Sequence, residues 1–341
     1  MNAVSASIRK CMTKHSKNTG FDSKVGIMSQ NTQLAIIIPA YKATFLSAAL
    51  DSIAAQTCQD FTLYIGDDCS PYNLEDIVNQ YRDNIKLVYH RFETNLGGKD
   101  LVAQWERCIA MTQGEPYIWL FSDDDIMEPR CVESFLSLPV NIRENYLVHF
   151  NIKVIDDKEN VIKEPCRYPE RMSAKEYLDA KLFQKGIISY VVEFIFPRWL
   201  YEQTGGFQKY DLAWGSDMMT WIKFADRCNG IFTTDGAKVM WRSSSENISP
   251  DKSHDIFIRK MIAQINYTSD IISFLKNRNY KVKFKYVRYI WGNLFRNIRY
   301  FDKKDLSILK CAYKNKIGFN FLSYMAYVTV KVKHLFGFIF I

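Results

Sequence analysis

Three consecutive aspartates, Asp123, Asp124 and Asp125, follow an apolar run at residues 117–121. Crowded carboxylates are hard oxygen ligands. Such a set suits Mn2+ or Mg2+, which takes one or two protein carboxylates and leaves positions for substrate phosphates. Taken alone, the triplet serves equally as a solvated acidic turn ahead of a helix that begins near Pro129. A second acidic pair, Asp67-Asp68, also follows an apolar run and can accept hydrogen bonds from a ribose or a base edge. With Ser70-Pro71 it fits an Asx-turn as well. Gly97-Gly98 lets backbone approach a ligand closely, and Lys99 beside it can face a phosphate. Dinucleotide-binding and Walker phosphate loops are both absent, which disfavours dehydrogenases and P-loop kinases.

The elements that must position these groups follow from hydrophobic periodicity. From Leu34 onward short apolar runs alternate with helical spacing, the pattern of a parallel sheet covered by helices. Residues 34–39, 61–66, 86–90 and 117–121 read as strands. Between them, residues 45–55, 74–81 and 101–110 read as helices, the first with Leu46, Leu50 and Ile53 on one face. In open parallel sheets ligands bind beyond the carboxyl ends of the strands, where strand order reverses. Pro39-Ala40-Tyr41-Lys42, Asp67-Asp68, the segment from Asn95 to Lys99, and the aspartate triplet all follow strand ends, so they converge on one edge. Further on, residues 146–154 and 189–196 read as strands and residues 174–181 and 216–225 as helices, with Gly205-Gly206 breaking the pattern. After about Asp251 the chain turns helical and basic, which places a boundary there.

Ile36-Ile37-Ile38-Pro39-Ala40-Tyr41, Tyr64-Ile65-Gly66-Asp67-Asp68-Cys69-Ser70, Asn95-Leu96-Gly97-Gly98 and Phe121-Ser122-Asp123-Asp124-Asp125-Ile126 occur in this order. The series resembles family 2 glycosyltransferases of the GT-A fold, over roughly residues 34–249. It departs from them at Lys42, where Asn is commoner, and at Cys69, where Gly is usual. The resemblance implies a GT-A type, Rossmann-like doubly wound mixed α/β sheet at residues 31–250, with a C-terminal helical, basic extension at residues 251–341. It implies that Pro39, Ala40, Tyr41, Asp67 and Asp68 hold the nucleotide base and ribose, with Gly98, Lys99 and Asp124 also on the donor. Asp123 and Asp125 become the metal ligands, Asp125 foremost. A later acidic residue in the family, preceded by Gly-Gly-Phe, opens a helix and acts as base. Gly205-Gly206-Phe207 here precedes Trp214-Gly215-Ser216-Asp217, so Asp217 is the candidate, with Ser where Glu is commoner. Its residue chemistry agrees, since a carboxylate at a helix start can be held to take a proton from an acceptor hydroxyl; it can also simply cap that helix. Trp214 is placed to stack on a sugar ring or to fill core. The stretch from Trp241 to Ser249 resembles the family's closing loop, in which Arg242 would approach the diphosphate. The loop's usual His is replaced by Ser245 or a neighbour.

Taken together, the resemblance implies an inverting transferase. It would move a sugar from a UDP- or GDP-type nucleotide-sugar donor to a glycan or lipid-linked acceptor, in capsule, O-antigen or exopolysaccharide synthesis. A sugar nucleotidyltransferase shares the fold but needs a Gly-rich, basic loop after the first strand, which Tyr41-Lys42-Ala43 does not supply. An inactive sugar- or membrane-binding protein on the same scaffold would have no reason to keep every expected acidic residue.

Composition fits an enzyme with a surface-docking tail. The 341 residues are 48% hydrophobic, enough for a large core, and the net charge is +8. Residues 276–316 hold thirteen Lys or Arg against Asp302 and Asp305, so this segment carries +11 and the remainder −3. Residues 280–300 mix those cations with Tyr, Phe and Trp, which suits lipid headgroups, a partner or nucleic acid, or a solvated helical face; docking on an anionic membrane surface, with no nucleic acid, is the reading taken. The C-terminal apolar run from Phe319 is interrupted by Lys331, Lys333 and His334, so the expectation is peripheral attachment on the cytoplasmic face of the inner membrane. Eight cysteines without a Cys-x-x-Cys pair fit reduced thiols, and histidines 15, 90, 149, 254 and 334 show no metal-ligand spacing. Residues 1–30 read as a disordered leader or a stretch ahead of a start at Met28.

Overall fold

A computed structural model describes residues 32–184, 186–246, 253–282, 286, 289 and 301–318. The expected leader at residues 1–30 and the C-terminal run from Phe319 lie outside the described residues, as do most of the basic aromatic stretch at 280–300 and residues 247–249 of the closing loop.

The first half is a right-wound series of strand and helix. β1 (Leu34–Ala40), β2 (Phe61–Asp67), β3 (Leu87–Arg91) and β4 (Tyr117–Leu120) are joined by α1 (Leu46–Ala54), α2 (Leu74–Asn79) and α3 (Leu101–Ile109). β1 and β4 are apolar almost throughout and β2 is buried along its whole length, as strands covered on both faces are. The period of two is visible in β1: Ala35 and Ile37 enter one core, and Leu34, Ile36 and Ile38 enter the other. α1 buries Leu46, Ala49, Leu50 and Ile53, the i, i+3, i+4, i+7 stripe of an amphipathic helix.

The second half adds β5 (Ile126–Met127), α4 (Cys131–Leu136), α5 (Val140–Asn145), β6 (Leu147–Ile155), β7 (Val161–Lys163), β8 (Arg171–Met172) and α6 (Ala174–Phe183). β9 (Phe194–Pro197), α7 (Arg198–Thr204), α8 (Ser216–Arg227) and β10 (Ile231–Arg242) follow. The sheet order is β3-β2-β1-β4-β9-β6-β10-β5, with β7 on β6 and β8 on β10. β1 lies between β2 and β4 and is parallel to both, whereas β9 is antiparallel to β4 and to β6. The result is a mixed doubly wound sheet whose order reverses at β1. The crevice predicted by that reversal opens at Ala40, beside the ends of β2 and β4.

Two elements differ from the sequence reading. Only Phe194–Pro197 of the expected strand at 189–196 is extended, because residues 191–193 form a 3-10 turn. β10 has no counterpart in that reading: Asp235-Gly236 looks like a hairpin turn, yet the strand runs on through a bulge between Thr234 and Val239 against β6.

The expected boundary near residue 251 does not separate two cores. α9 (His254–Asn277) sends Ala263, Tyr267, Ile271 and Leu275 into the core that also holds Trp221 and Phe224 of α8. α10 (Lys303–Lys316) packs Leu309 and Tyr313 on Met261 and Ile265 of α9. Among the described residues no helix is long and apolar enough to cross a membrane.

The turn after β2 has a local cost. Cys69 sits at φ 54°, the left-handed region that a side chain with Cβ resists by roughly 1–2 kcal/mol. Glycine removes that clash at a smaller entropic penalty. Cys69→Gly is expected to raise stability by about 1 kcal/mol, read as a higher urea midpoint with unchanged slope; a lower midpoint would refute the strain.

Candidate active site

Asp67 ends β2 fully buried and spends its carboxylate within the protein. It accepts hydrogen bonds from the Ser70 amide at 2.7 Å, the Tyr89 hydroxyl at 2.6 Å and Arg91 Nη1 at 2.7 Å. Burial and the Asp67 carboxylate push the Tyr89 hydroxyl upward, so it remains a donor. Asp68 does a different task. It takes the backbone amides of Leu96 and Gly97, each at 2.7 Å, together with Asn95 Nδ2 at 3.1 Å and the Arg107 guanidinium. It thereby folds the Asn95–Gly98 loop onto the sheet edge. Gly97 must be glycine for this approach, because a Cβ there would lie 2.7 Å from Asp68 Oδ2.

The aspartate triplet is laced to three other segments. Asp123 Oδ2 accepts the amides of Tyr41 and Lys42, each at 2.8 Å, which ties the loop after β1 to the end of β4. Asp124 Oδ2 meets Lys42 Nζ at 3.0 Å. Asp125 places Oδ2 at 2.6 Å from the Ser122 hydroxyl and Oδ1 at 2.7 Å from the Arg242 amide. Burial first and the Asp124 charge second push the Asp123 carboxyl up to about 6, and the same two causes carry Asp125 well above the usual carboxylate range. Burial alone would lower the Lys42 ammonium, but Asp124 and Asp123 outweigh it and hold the group above its ordinary value. The cluster therefore holds more negative charge than Lys42 balances.

Arg242 occupies a different place from the one expected of it. Its side chain is fully buried and does not line the cavity. Nε donates to the Asp124 carbonyl at 2.8 Å, Nη1 to the Asp156 carbonyl at 3.1 Å and Nη2 to Glu159 at 3.2 Å, while the guanidinium lies 4.3 Å from the Phe45 ring centre. Arg242 thus braces the aspartate turn from behind, with Nε and Nη1 satisfying the Asp124 and Asp156 carbonyls.

A cavity of about 940 Å3 opens along this edge. Of the residues singled out in the sequence, Pro39, Ala40, Tyr41, Asp68, Gly98, Asp123, Asp124, Asp125 and Asp217 all line it. Asp67, Lys99 and Arg242 are not among the lining residues; Asp67 is consumed by its turn, and Lys99 points from an exposed position. Lys42, Lys181, Tyr190 and Trp241 line it as well, although the sequence reading gave them no role. Tyr190 and Trp241 stack at 3.9 Å, an adjacency no sequence spacing betrays. Lys42 had a signal, namely a cation where the resemblance has Asn.

Asp217 sits in the first turn of α8, whose N-cap residue is Gly215. Burial raises its pKa, and the Lys181 ammonium together with the amides of residues 217 and 218 opposes that rise. Lys181, on α6, donates to the Ser189 carbonyl at 2.9 Å, and burial lowers its own pKa.

Replacing Arg242 separates a brace from a ligand contact. Arg242→Ala leaves buried carbonyls of Asp124 and Asp156 without donors, for an expected loss of about 3 kcal/mol in urea unfolding. An unchanged midpoint would show that the side chain does not brace the turn.

Comparison with known proteins bears on the fold and on the family of its first half. The sequence pattern of the family described as Glycosyl transferase family 2 matches residues 35–202. An uncharacterized glycosyltransferase of Rickettsia prowazekii is 28% identical over 195 residues, 56% of this chain and 58% of that protein. A PGL/p-HBAD biosynthesis glycosyltransferase of Mycobacterium tuberculosis is 37% identical over 97 residues, 28% of this chain and 36% of that one. The match thus spans less than two thirds of either relative. A crystal structure of Staphylococcus aureus TarS in complex with UDP-GlcNAc superimposes with a TM-score of 0.57 at 15% identity, covering 89% of this chain and 92% of that one. The sheet is that of the GT-A fold, and residues 35–202 carry a domain that matches Glycosyl transferase family 2.

Proposed function

We propose that this chain is an inverting glycosyltransferase that moves one sugar from a nucleotide-diphosphate donor to an acceptor hydroxyl. The observation that carries the reading is the shared cavity. Segments after β1, β2 and β4 and the first turn of α8 all reach it, so a cluster of acids and a separate half-buried carboxylate face one space.

The donor set fits a divalent cation. Asp123 and Asp124 each keep one carboxylate oxygen with no hydrogen bond among the described residues, whereas both oxygens of Asp125 are engaged. We therefore assign Asp123 and Asp124 as the residues that would hold Mn2+ or Mg2+, with Asp125 fixing the turn rather than leading the ligation. Among the described residues no three acidic, His or Cys side chains form a metal-holding group by themselves, so phosphate oxygens of the donor would have to complete the set. A bound cation would offset the charge on the departing diphosphate.

Asp217 takes the proton of the acceptor hydroxyl. The oxygen then forms its bond to the anomeric carbon as the bond from that carbon to the phosphate oxygen breaks, and the electron pair leaves with the nucleoside diphosphate. A raised pKa suits this task, since a base is most effective when its pKa approaches the working pH. Lys42 meets the diphosphate side, where its ammonium faces Asp124. The names of two relatives, a PGL/p-HBAD biosynthesis glycosyltransferase and a poly(ribitol-phosphate) beta-N-acetylglucosaminyltransferase, support a role in building surface glycans, with a UDP- or GDP-type donor and a glycan or lipid-linked acceptor. The basic side chains of α10, Lys303, Lys304, Lys310, Lys314 and Lys316, support docking on the anionic cytoplasmic face of the inner membrane.

Two variants test the division of roles. Asp124→Ala is expected to abolish the Mn2+-dependent thermal shift given by UDP or GDP sugars. Asp217→Asn is expected to keep that shift while transfer falls about 100-fold or more. Equal loss of nucleotide binding in both variants would refute the assignment.

A further inference from the structure

Part of the cavity wall is unlike the rest. Leu212, Ala213, Trp214, Met218, Tyr267 and Tyr289 contribute apolar or aromatic surface directly beside Asp217. Tyr267 belongs to α9 and Tyr289 lies beyond it, so the region after residue 251 builds part of the same cavity.

The segment that carries Leu212 and Trp214 is held in a costly backbone conformation. Leu212 and Ala213 stand at φ 57° and 52°, and Gly215 at 83°. Successive non-glycine residues in this region persist only where the surroundings over-determine them. α9 supplies that constraint four times. Arg259 donates to both oxygens of Asp211 at 2.8 and 2.6 Å, Asp270 accepts the Tyr210 hydroxyl, and Lys260 Nζ lies 4.9 Å from the Trp214 ring centre. The Tyr267 ring abuts Gly215 so closely that a Cβ there would lie 2.5 Å from it. The strain therefore has a result, which is to present Leu212, Ala213 and Trp214 to the cavity three to five residues before Asp217.

Hydrogen-bond supply decides what this wall can bind. A sugar presents many hydroxyls, each costly to bury without a partner. Lys181 already donates to the Ser189 carbonyl at 2.9 Å, and Leu212, Ala213 and Met218 bring no side-chain hydrogen-bond donor to this wall. Apolar surface with few polar groups instead suits an alkyl or aryl moiety.

We infer that this wall is the acceptor subsite, and that it takes an acceptor carrying an alkyl or aryl group next to the hydroxyl that reacts. The inference rests on the transferase reading above. Trp105, Trp214 and Trp241 line the cavity, so binding is measurable by tryptophan fluorescence on the full chain without a donor. Octyl and phenyl β-glucoside, below micelle-forming concentration, are expected to bind at least about tenfold tighter than glucose. Leu212→Asp should erase that preference, and it should fold, because Asp tolerates positive φ better than Leu. The thermal shift with Mn2+ and UDP or GDP, retained in Leu212→Asp, confirms that the variant is intact. Equal affinity for glucose and its glucosides, or a preference that survives Leu212→Asp, would overturn the subsite. A wild-type protein that shows the glucoside preference but no nucleotide shift would support the subsite and count against the transferase reading instead.

Discussion

Carboxylates packed side by side repel, and the end of β4 places three of them in a row at positions withdrawn from water. At a separation of about 4 Å the repulsion between two unit charges is about 4 kcal/mol in the partly screened interior of a protein. The fold does not relieve this by spreading the groups apart. It brings donors to them: amides of Tyr41 and Lys42 for Asp123, the Lys42 ammonium for Asp124, and the Ser122 hydroxyl with the Arg242 amide for Asp125. Those donors come from the loop after β1, from the aspartate turn itself and from the end of β10. The charge surplus therefore dictates which three strand ends must meet, and the parallel pairing of β1 with β4 makes that meeting possible.

A similar logic governs the neighbouring acidic pair. Asp67 and Asp68 are adjacent in sequence but face separate sets of partners. Asp67 closes its own turn with Ser70, Tyr89 and Arg91, and Asp68 captures the Asn95–Gly98 loop. Each is a buried acid satisfied by several donors, and a buried charge costs least when every lone pair is used. The shape of the cavity thus derives from acids that do not themselves need to touch a ligand. Asp68 lines the cavity while doing so, and Asp67 does not.

The legible part of the sequence was the part in which one residue type has one physical use. Apolar runs buried on both faces, helices with a single stripe, and acids at strand ends located β1 to β4 and the crevice with little ambiguity. Orientation was not legible. An arginine in a polar loop reads as exposed and ready for phosphate, yet Arg242 is buried because the carbonyls of Asp124 and Asp156 need its donors. Asp235-Gly236 falls in the bulge between Thr234 and Val239, and pairing with β6 on either side carries the strand through it. The boundary near residue 251 followed from a change in composition. Composition does not reveal that Tyr267, Ile271 and Leu275 fall on one face of α9 and complete the core around Trp221.

Behind the cavity wall a second charged group balances the first. Lys181 lies close enough to act on both Asp217 and Glu193, and His149 Nε2 stands 3.5 Å from Glu193 Oε1 with no other hydrogen-bond partner for either atom among the described residues. Burial raises Glu193, and His149 and Lys181 oppose that rise. The proton affinity of Asp217 is therefore not set by Asp217 alone. It depends also on Lys181, whose ammonium burial disfavours and the Asp217 and Glu193 carboxylates favour, and which the Ser189 carbonyl holds in place at 2.9 Å. Burial would neutralise an isolated Asp217, and an adjacent ammonium would leave it fully ionised and a weak base. Desolvation held against one nearby cation keeps the carboxylate between those limits, where it can accept a proton as the acceptor oxygen attacks.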